Sequence, residues 1–276
     1  MASPAGPVVA FDVLVFFAIL LLTLALVPPL FSRYIVRRKT WHSIMLSTLV
    51  FAIALVLWVG HQSSSLPPNG NLCLVQVAFI HATPPLASIA MASYTADIYI
   101  SIRHMFKSDD WEDGPEPGNI VLLVLLPWVT FFLVFLEAIL VVGLLPSAKA
   151  HPAEPLAFYC RTDNNVAIVV SVVIVLLSCV VAVVCQAATG WMLYKNWIKV
   201  QRVSVTSTIR KYIHAFIRTL AFTVVAILSV TLGFIASLTI HKTVIAYTIL
   251  LPFLPITSAL IFGTYKDIMS FYVIYK

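Results

Sequence analysis

The sequence predicts an all-α membrane protein: a seven-transmembrane helix bundle with its amino terminus outside and a short interfacial helix at its carboxyl terminus. Seven apolar stretches, roughly 13–32, 43–60, 72–96, 120–146, 166–194, 219–240 and 243–265, carry the first part of that reading. About 20 such residues suffice to cross the hydrocarbon core as a helix. The placement of charge carries the second part. Arg33, Arg37, Arg38 and Lys39 lie in the first connector, Arg103 and Lys107 in the third, and Lys195, Lys199, Arg202, Arg210, Lys211 and Arg218 around the fifth, with Lys266 and Lys276 after the last stretch. The remaining connectors hold only Lys149, Arg161 and Lys242. Lys and Arg near helix ends are retained on the cytoplasmic face, so the odd-numbered connectors are predicted to be inside. Composition agrees: 61% hydrophobic residues, 10% charged and a mean hydropathy of +1.00 leave too little polar surface to cover a water-soluble fold. The net charge of +6 is then helix-flanking cytosolic charge that faces anionic lipid, not a nucleic-acid surface.

Taken in order, the helices are predicted at about 9–32, 41–60, 72–102, 119–145, 165–198, 211–240 and 243–264, in one domain covering 1–276. The segment before Phe11 is short and lacks a basic start, so the first helix reads as an uncleaved anchor. A basic turn ends it, and the Ser-rich, Pro67-Pro68-Asn69-Gly70 loop ends the second. The third connector carries Asp109, Asp110, Glu112, Asp113 and Glu116 with Pro115 and Pro117, so it is a solvated excursion after which Asn119 can cap the fourth helix. The connector 147–165 is the longest outer segment and is expected to lie over the helix mouth. Short connections between the later helices force antiparallel neighbours. The segment 265–276, with Tyr265, Ile268, Met269 and Tyr272, fits a stubby interfacial helix.

The four cysteines divide by depth. Cys73 opens the third helix and Cys160 sits late in the outer loop, both on the oxidising face, so a disulfide between them is sensible and two unpaired thiols are the alternative. Cys179 and Cys185 lie within the fifth stretch and read as small packing residues.

These features resemble the G-protein-coupled receptor superfamily. In its rhodopsin-like class a cysteine opens helix 3, bonds to the second outer loop, and is followed 24 residues later by the acid of an Asp-Arg-Tyr motif; here Cys73 is followed at that interval by Asp97, in Asp97-Ile98-Tyr99. The chain also looks like seven-helix receptor-like proteins of basidiomycete fungi, on the Leu72-Cys73 start, Gln76, Pro84-Pro85 and Phe262-Gly263-Thr264. It departs from the class where Ile98 replaces the arginine, where helix 6 lacks a Cys-Trp-X-Pro, and where Leu254-Pro255 with Ser258 stands in place of an Asn-Pro-X-X-Tyr. The resemblance implies a plasma-membrane receptor that binds an extracellular ligand and partners a heterotrimeric G protein, with no cofactor.

Several residues carry a possible mechanism. Asp97, at the inner end of helix 3, is placed to accept bonds from Arg103, His104 or Thr40 and to bias two packings, or else it is a solvated helix-end acid. Tyr99 completes that motif. Pro84 and Pro85 remove two amide donors in mid helix 3 and predict a hinge there, and Pro252 and Pro255 predict a second in helix 7. His81 and Glu137 are intramembrane ionisable residues, which are costly and usually face a cavity or a partner. With Gln76, Thr83 and Ser88 they form the candidate ligand pocket; interhelical hydrogen bonds are the alternative. Arg103, Lys199, Arg202, Arg210 and Lys211 form the candidate coupling face.

Other chemistries fit less well. A retinal Schiff base needs a lysine in helix 7, and 243–265 contains none. The seven histidines are scattered with no pair four apart, which argues against a zinc hydrolase, and no nucleophile stands beside a base, so an enzyme is not expected. A receptor is the favoured reading. The alternative is a seven-helix transporter or lipid-handling protein without G-protein coupling, although no repeated halves are apparent.

Overall fold

The computed structural model describes residues 5–32, 35, 37–57, 59, 70–107, 117–144, 150–152, 160–162, 165–196, 207–238, 251–264, 268 and 271. These form α1 (Ala5–Phe31), α2 (Lys39–Val56), α3 (Gly70–Lys107), α4 (Pro117–Leu144), β1 (Ala150–Pro152), β2 (Cys160–Thr162), α5 (Asn165–Lys195), α6 (Ser207–Leu238) and α7 (Phe253–Gly263). Each of α1 to α6 contains a segment long and apolar enough to cross a membrane, and α7 is a shorter apolar helix of 11 residues. The protein is therefore an all-α, multi-pass membrane protein. The outer part of the seventh predicted stretch, 243–250, lies outside the described residues.

Some boundaries differ from expectation, for local reasons. α3 runs on to Lys107, a cation in its last turn that suits the negative end of a helix dipole. α4 begins at Pro117, two residues before the expected Asn119 cap, because proline is tolerated in a first turn whose amides are unpaired anyway. The connector between α4 and α5 holds an antiparallel hairpin that the sequence did not announce, with Ala150 opposite Thr162, His151 opposite Arg161 and Pro152 opposite Cys160. Of the terminal segment, Ile268 and Phe271 are helical, and Ile268 is buried in the core.

α3 is the hub. It packs most extensively against α4, α5 and α2, while α1 closes against α7 and α2. Burial follows a different order, since 61% of the spanning window of α2 and 44% of that of α3 are buried but only 17% of those of α4, α5 and α6. On α4, Leu122, Leu126, Val129, Leu133, Leu136 and Leu140 are exposed at alternating spacings of four and three, a single stripe along the helix. Soluble proteins rarely display an apolar face of that extent, so the stripe is where lipid tails lie. Inside, Tyr94 of α3 and Phe222 of α6 meet Phe262 of α7 with ring centroids 5.8 and 5.5 Å away. α1 and α7 approach so closely that a Cβ on Gly263 would fall 2.7 Å from the Cβ of Ala25, which explains glycine at that position.

Candidate functional site

The two ends of α3 are held in different ways, at positions 24 residues apart, roughly 36 Å of helix. At one end Cys73 is bonded to Cys160 of β2, with Cα atoms 5.5 Å apart. One turn along, Gln76 is fully buried and both ends of its amide are engaged. Its Oε1 accepts the Cys160 backbone N–H at 3.0 Å, and its Nε2 donates to the Ala54 carbonyl of α2 at 3.4 Å. The hairpin is thus pinned over α2 and α3 by a covalent bond and a buried amide.

At the other end Asp97 is buried, and both of its carboxylate oxygens are occupied. Arg38 Nη1 donates to Oδ1 in an ion pair, and Thr40 Oγ1 donates to Oδ2 at 2.6 Å. The same Arg38 nitrogen donates to Ser101 Oγ at 2.7 Å, while Nη2 donates to the Tyr212 hydroxyl of α6 at 2.5 Å. The guanidinium also lies 5.0 Å from the centroid of the Tyr212 ring. Arg38 can do this because its backbone is the N-cap of α2: its carbonyl accepts the Trp41 and His42 amides at 3.0 and 3.3 Å and His42 Nδ1 contacts it at 3.0 Å, so the stem of the side chain is fixed. One cation therefore joins the start of α2, the Asp97 end of α3 and the first turns of α6. The partner of Asp97 is Arg38, beside the expected Thr40, and not Arg103, which is exposed.

α6 gains its remaining anchors from polar groups as well. Gln186 of α5 donates through Nε2 to Thr223 Oγ1 at 2.6 Å and to the Thr219 carbonyl at 3.3 Å. Arg218 donates to the Ile261 carbonyl at 2.5 Å and to the Thr264 carbonyl at 3.2 Å, capping the carbonyl end of α7 from the side.

Between the two ends, the proline pair sets the chemistry. Pro85 has no N–H to give to the carbonyl of His81, four residues earlier, and Ser171 Oγ of α5 reaches that carbonyl at 2.9 Å. Ser88 Oγ donates to the Pro85 carbonyl at 3.0 Å. Pro84 and Pro85 thus sit in a continuous α3, with one of the freed carbonyls served by a neighbouring helix. The Thr83 hydroxyl and both Glu137 carboxylate oxygens are covered by protein and lack a hydrogen-bond partner among the described residues. Around this level Phe79, Phe131 and Phe135 interlock, with the Phe79 and Phe135 centroids 5.0 Å apart and T-shaped. His81 is half-buried, as is Tyr99.

Pro252 is the N-cap of α7 and Pro255 falls in its first turn. Lys211 is exposed beside Tyr212, and Arg210 lies in α6. Lys199 and Arg202 lie outside the described residues. Among the described residues no group of three or more His, Cys, Asp or Glu is placed to hold a metal ion. Ser101, Tyr212, Ser171 and Gln186 escaped the sequence reading, which took Arg38 and Arg218 only as charges flanking the spans, and only the i, i+4 pairing of Asp97 with Ser101 hinted at a polar face on α3. The chain matches no protein-family model and no curated protein.

Proposed function

We propose that this membrane protein is a receptor-like signal transducer of the G-protein-coupled type, taking a small or lipid-like ligand at the Cys73 end of the bundle and signalling from the Asp97 end. The observation that carries the reading is the Arg38 junction. It ties α6 to α3 through an ion pair and hydrogen bonds, with no covalent link, at the end of the bundle opposite the disulfide. A disulfide belongs to an oxidising compartment, which fits the Cys73 end being outside, as the Lys and Arg distribution predicts. The unpartnered Thr83 and Glu137 groups lie toward that outer half, where an incoming ligand would supply the missing partners. A ligand that pulled on α3 near Pro84 and Pro85 would shift the carboxylate that holds Arg38, and α6 would be freed from α3. An inner face with exposed Arg103 and Lys211 then meets the G protein.

The test is nucleotide exchange on a fungal G-protein α subunit with the purified protein in lipid. Asp97→Asn should raise basal exchange severalfold, and an unchanged rate with folding intact would contradict coupling. Glu137→Ala and His81→Ala should alter the ligand response while leaving surface expression nearly intact; loss of expression alone would make both residues structural.

A further inference from the structure

Inward of the Gln186 bond lies a half-open apolar groove. Its walls are Ile102, Met105 and Phe106 of α3, Leu193 of α5, and Tyr212 and Ile213 of α6. The lining is apolar except for the Tyr212 hydroxyl, which is bound to Arg38. Exposed cations stand within one helical turn of these residues on all three helices: Arg103 and Lys107 on α3, Lys195 on α5 and Lys211 on α6. Among the described residues the acid at this end is Asp97, and it is already paired. Trp191 and Tyr194 are exposed on the last turns of α5, with ring centroids 6.2 Å apart, as aromatic side chains are where a helix leaves the hydrocarbon for the headgroup layer. The cleft therefore sits at the depth where a lipid chain meets its phosphate.

We propose that this cleft binds one anionic phospholipid of the adjoining leaflet, its acyl chain against Phe106, Leu193 and Ile213 and its headgroup among Arg103, Lys195 and Lys211. Charge complementarity selects the occupant. A zwitterionic lipid would fill the apolar walls equally well but would not gain from the three cations, each of which favours an anionic surface about fivefold. Tyr212 forms part of both the cleft wall and the Arg38 junction, so the lipid phosphate lies within reach of a guanidinium that is 29% exposed. An occupied cleft offers Arg38 a second anion in place of Asp97. The lipid thereby weakens the tie between α3 and α6. The site goes beyond the receptor reading, because binding is measured without any signalling partner.

The test uses the full chain in nanodiscs of mixed phosphatidylserine and phosphatidylcholine, released into native mass spectrometry. One phosphatidylserine should be retained per protein in preference to phosphatidylcholine. The triple variant Arg103→Gln, Lys195→Gln, Lys211→Gln should lose that preference by on the order of a hundredfold. Ile213→Trp, which fills the cleft and keeps every charge, should abolish retention too; its thermal unfolding in detergent establishes that it folds. Equal retention of both lipids would overturn the proposal. So would full retention by the Ile213→Trp protein, which would assign the lipid to diffuse surface charge, or equal retention of soluble glycerophosphoserine, which would make the chain irrelevant.

Discussion

One helix, α3, is fastened at its two ends by opposite kinds of chemistry. At Cys73 a covalent bond and a fully buried glutamine amide hold it to β2 and α2. At Asp97 it is held by an ion pair and hydrogen bonds whose central member, Arg38, is 29% exposed and can be reached by water. Thermal motion cannot open the disulfide, whereas the bonds that Arg38 donates can be exchanged for water at modest net cost. The difference locates the mobility of the bundle. α6, which relies on Gln186, Arg218 and Arg38 for its polar anchors, is held at the Asp97 end by bonds of this exchangeable kind.

Breaking the covalent end should have the larger effect on stability. The Cys73–Cys160 bond closes a loop of 87 residues, and its removal by Cys160→Ser is expected to cost about 4.6 kcal/mol by the loop-entropy estimate, read as a lower unfolding midpoint in detergent. The same variant should leave the inner end of α6 where it is. Asp97→Asn strikes the polar end. It removes the charge from a buried carboxylate and leaves Arg38 to water, at a cost of about 2 kcal/mol, less than for a fully buried pair because Arg38 is partly solvated.

Smaller effects sharpen the contrast. Gly263→Ala forces α7 away from Ala25 and should destabilise by about 1–3 kcal/mol, and it should add to Cys160→Ser without coupling because the two positions share no partner. Ser171→Ala leaves the His81 carbonyl without its donor from α5 and should cost about 1 kcal/mol. Hydrogen exchange of the amides flanking Pro84 and Pro85 would read that loosening directly.

Much of the architecture was legible because the bilayer writes itself into sequence: apolar runs give the spans, and Lys and Arg mark one face of the membrane. The Cys73 and Cys160 pairing was legible from their shared depth. The Asp97 junction was legible only in part. Its cation lies 59 residues away in a connector whose charges read as topology signal, and Tyr212 is 174 residues from Arg38, so no local spacing links them. The first candidates for that role, Arg103 and His104, were nearest in sequence but lie a turn and a half or more along the helix. Gln76 looked like a pocket residue because an intramembrane amide is costly, and its cost is met by the Cys160 amide and the Ala54 carbonyl. The hairpin of β1 and β2 was not legible, since three-residue strands containing His151 and Pro152 carry no alternating pattern.

The central claim is that the Arg38 junction, and not the disulfide end, controls where α6 lies. Spin labels at Lys107→Cys and Lys211→Cys report α3 and α6 at the Asp97 end, and labels at Gly143→Cys and Val166→Cys report the opposite end, in a background with Cys179 and Cys185 replaced by alanine. Asp97→Asn should lengthen and broaden the first distance by several ångströms and leave the second unchanged. An unmoved inner pair, or a shift confined to the Gly143 and Val166 pair, would contradict the account.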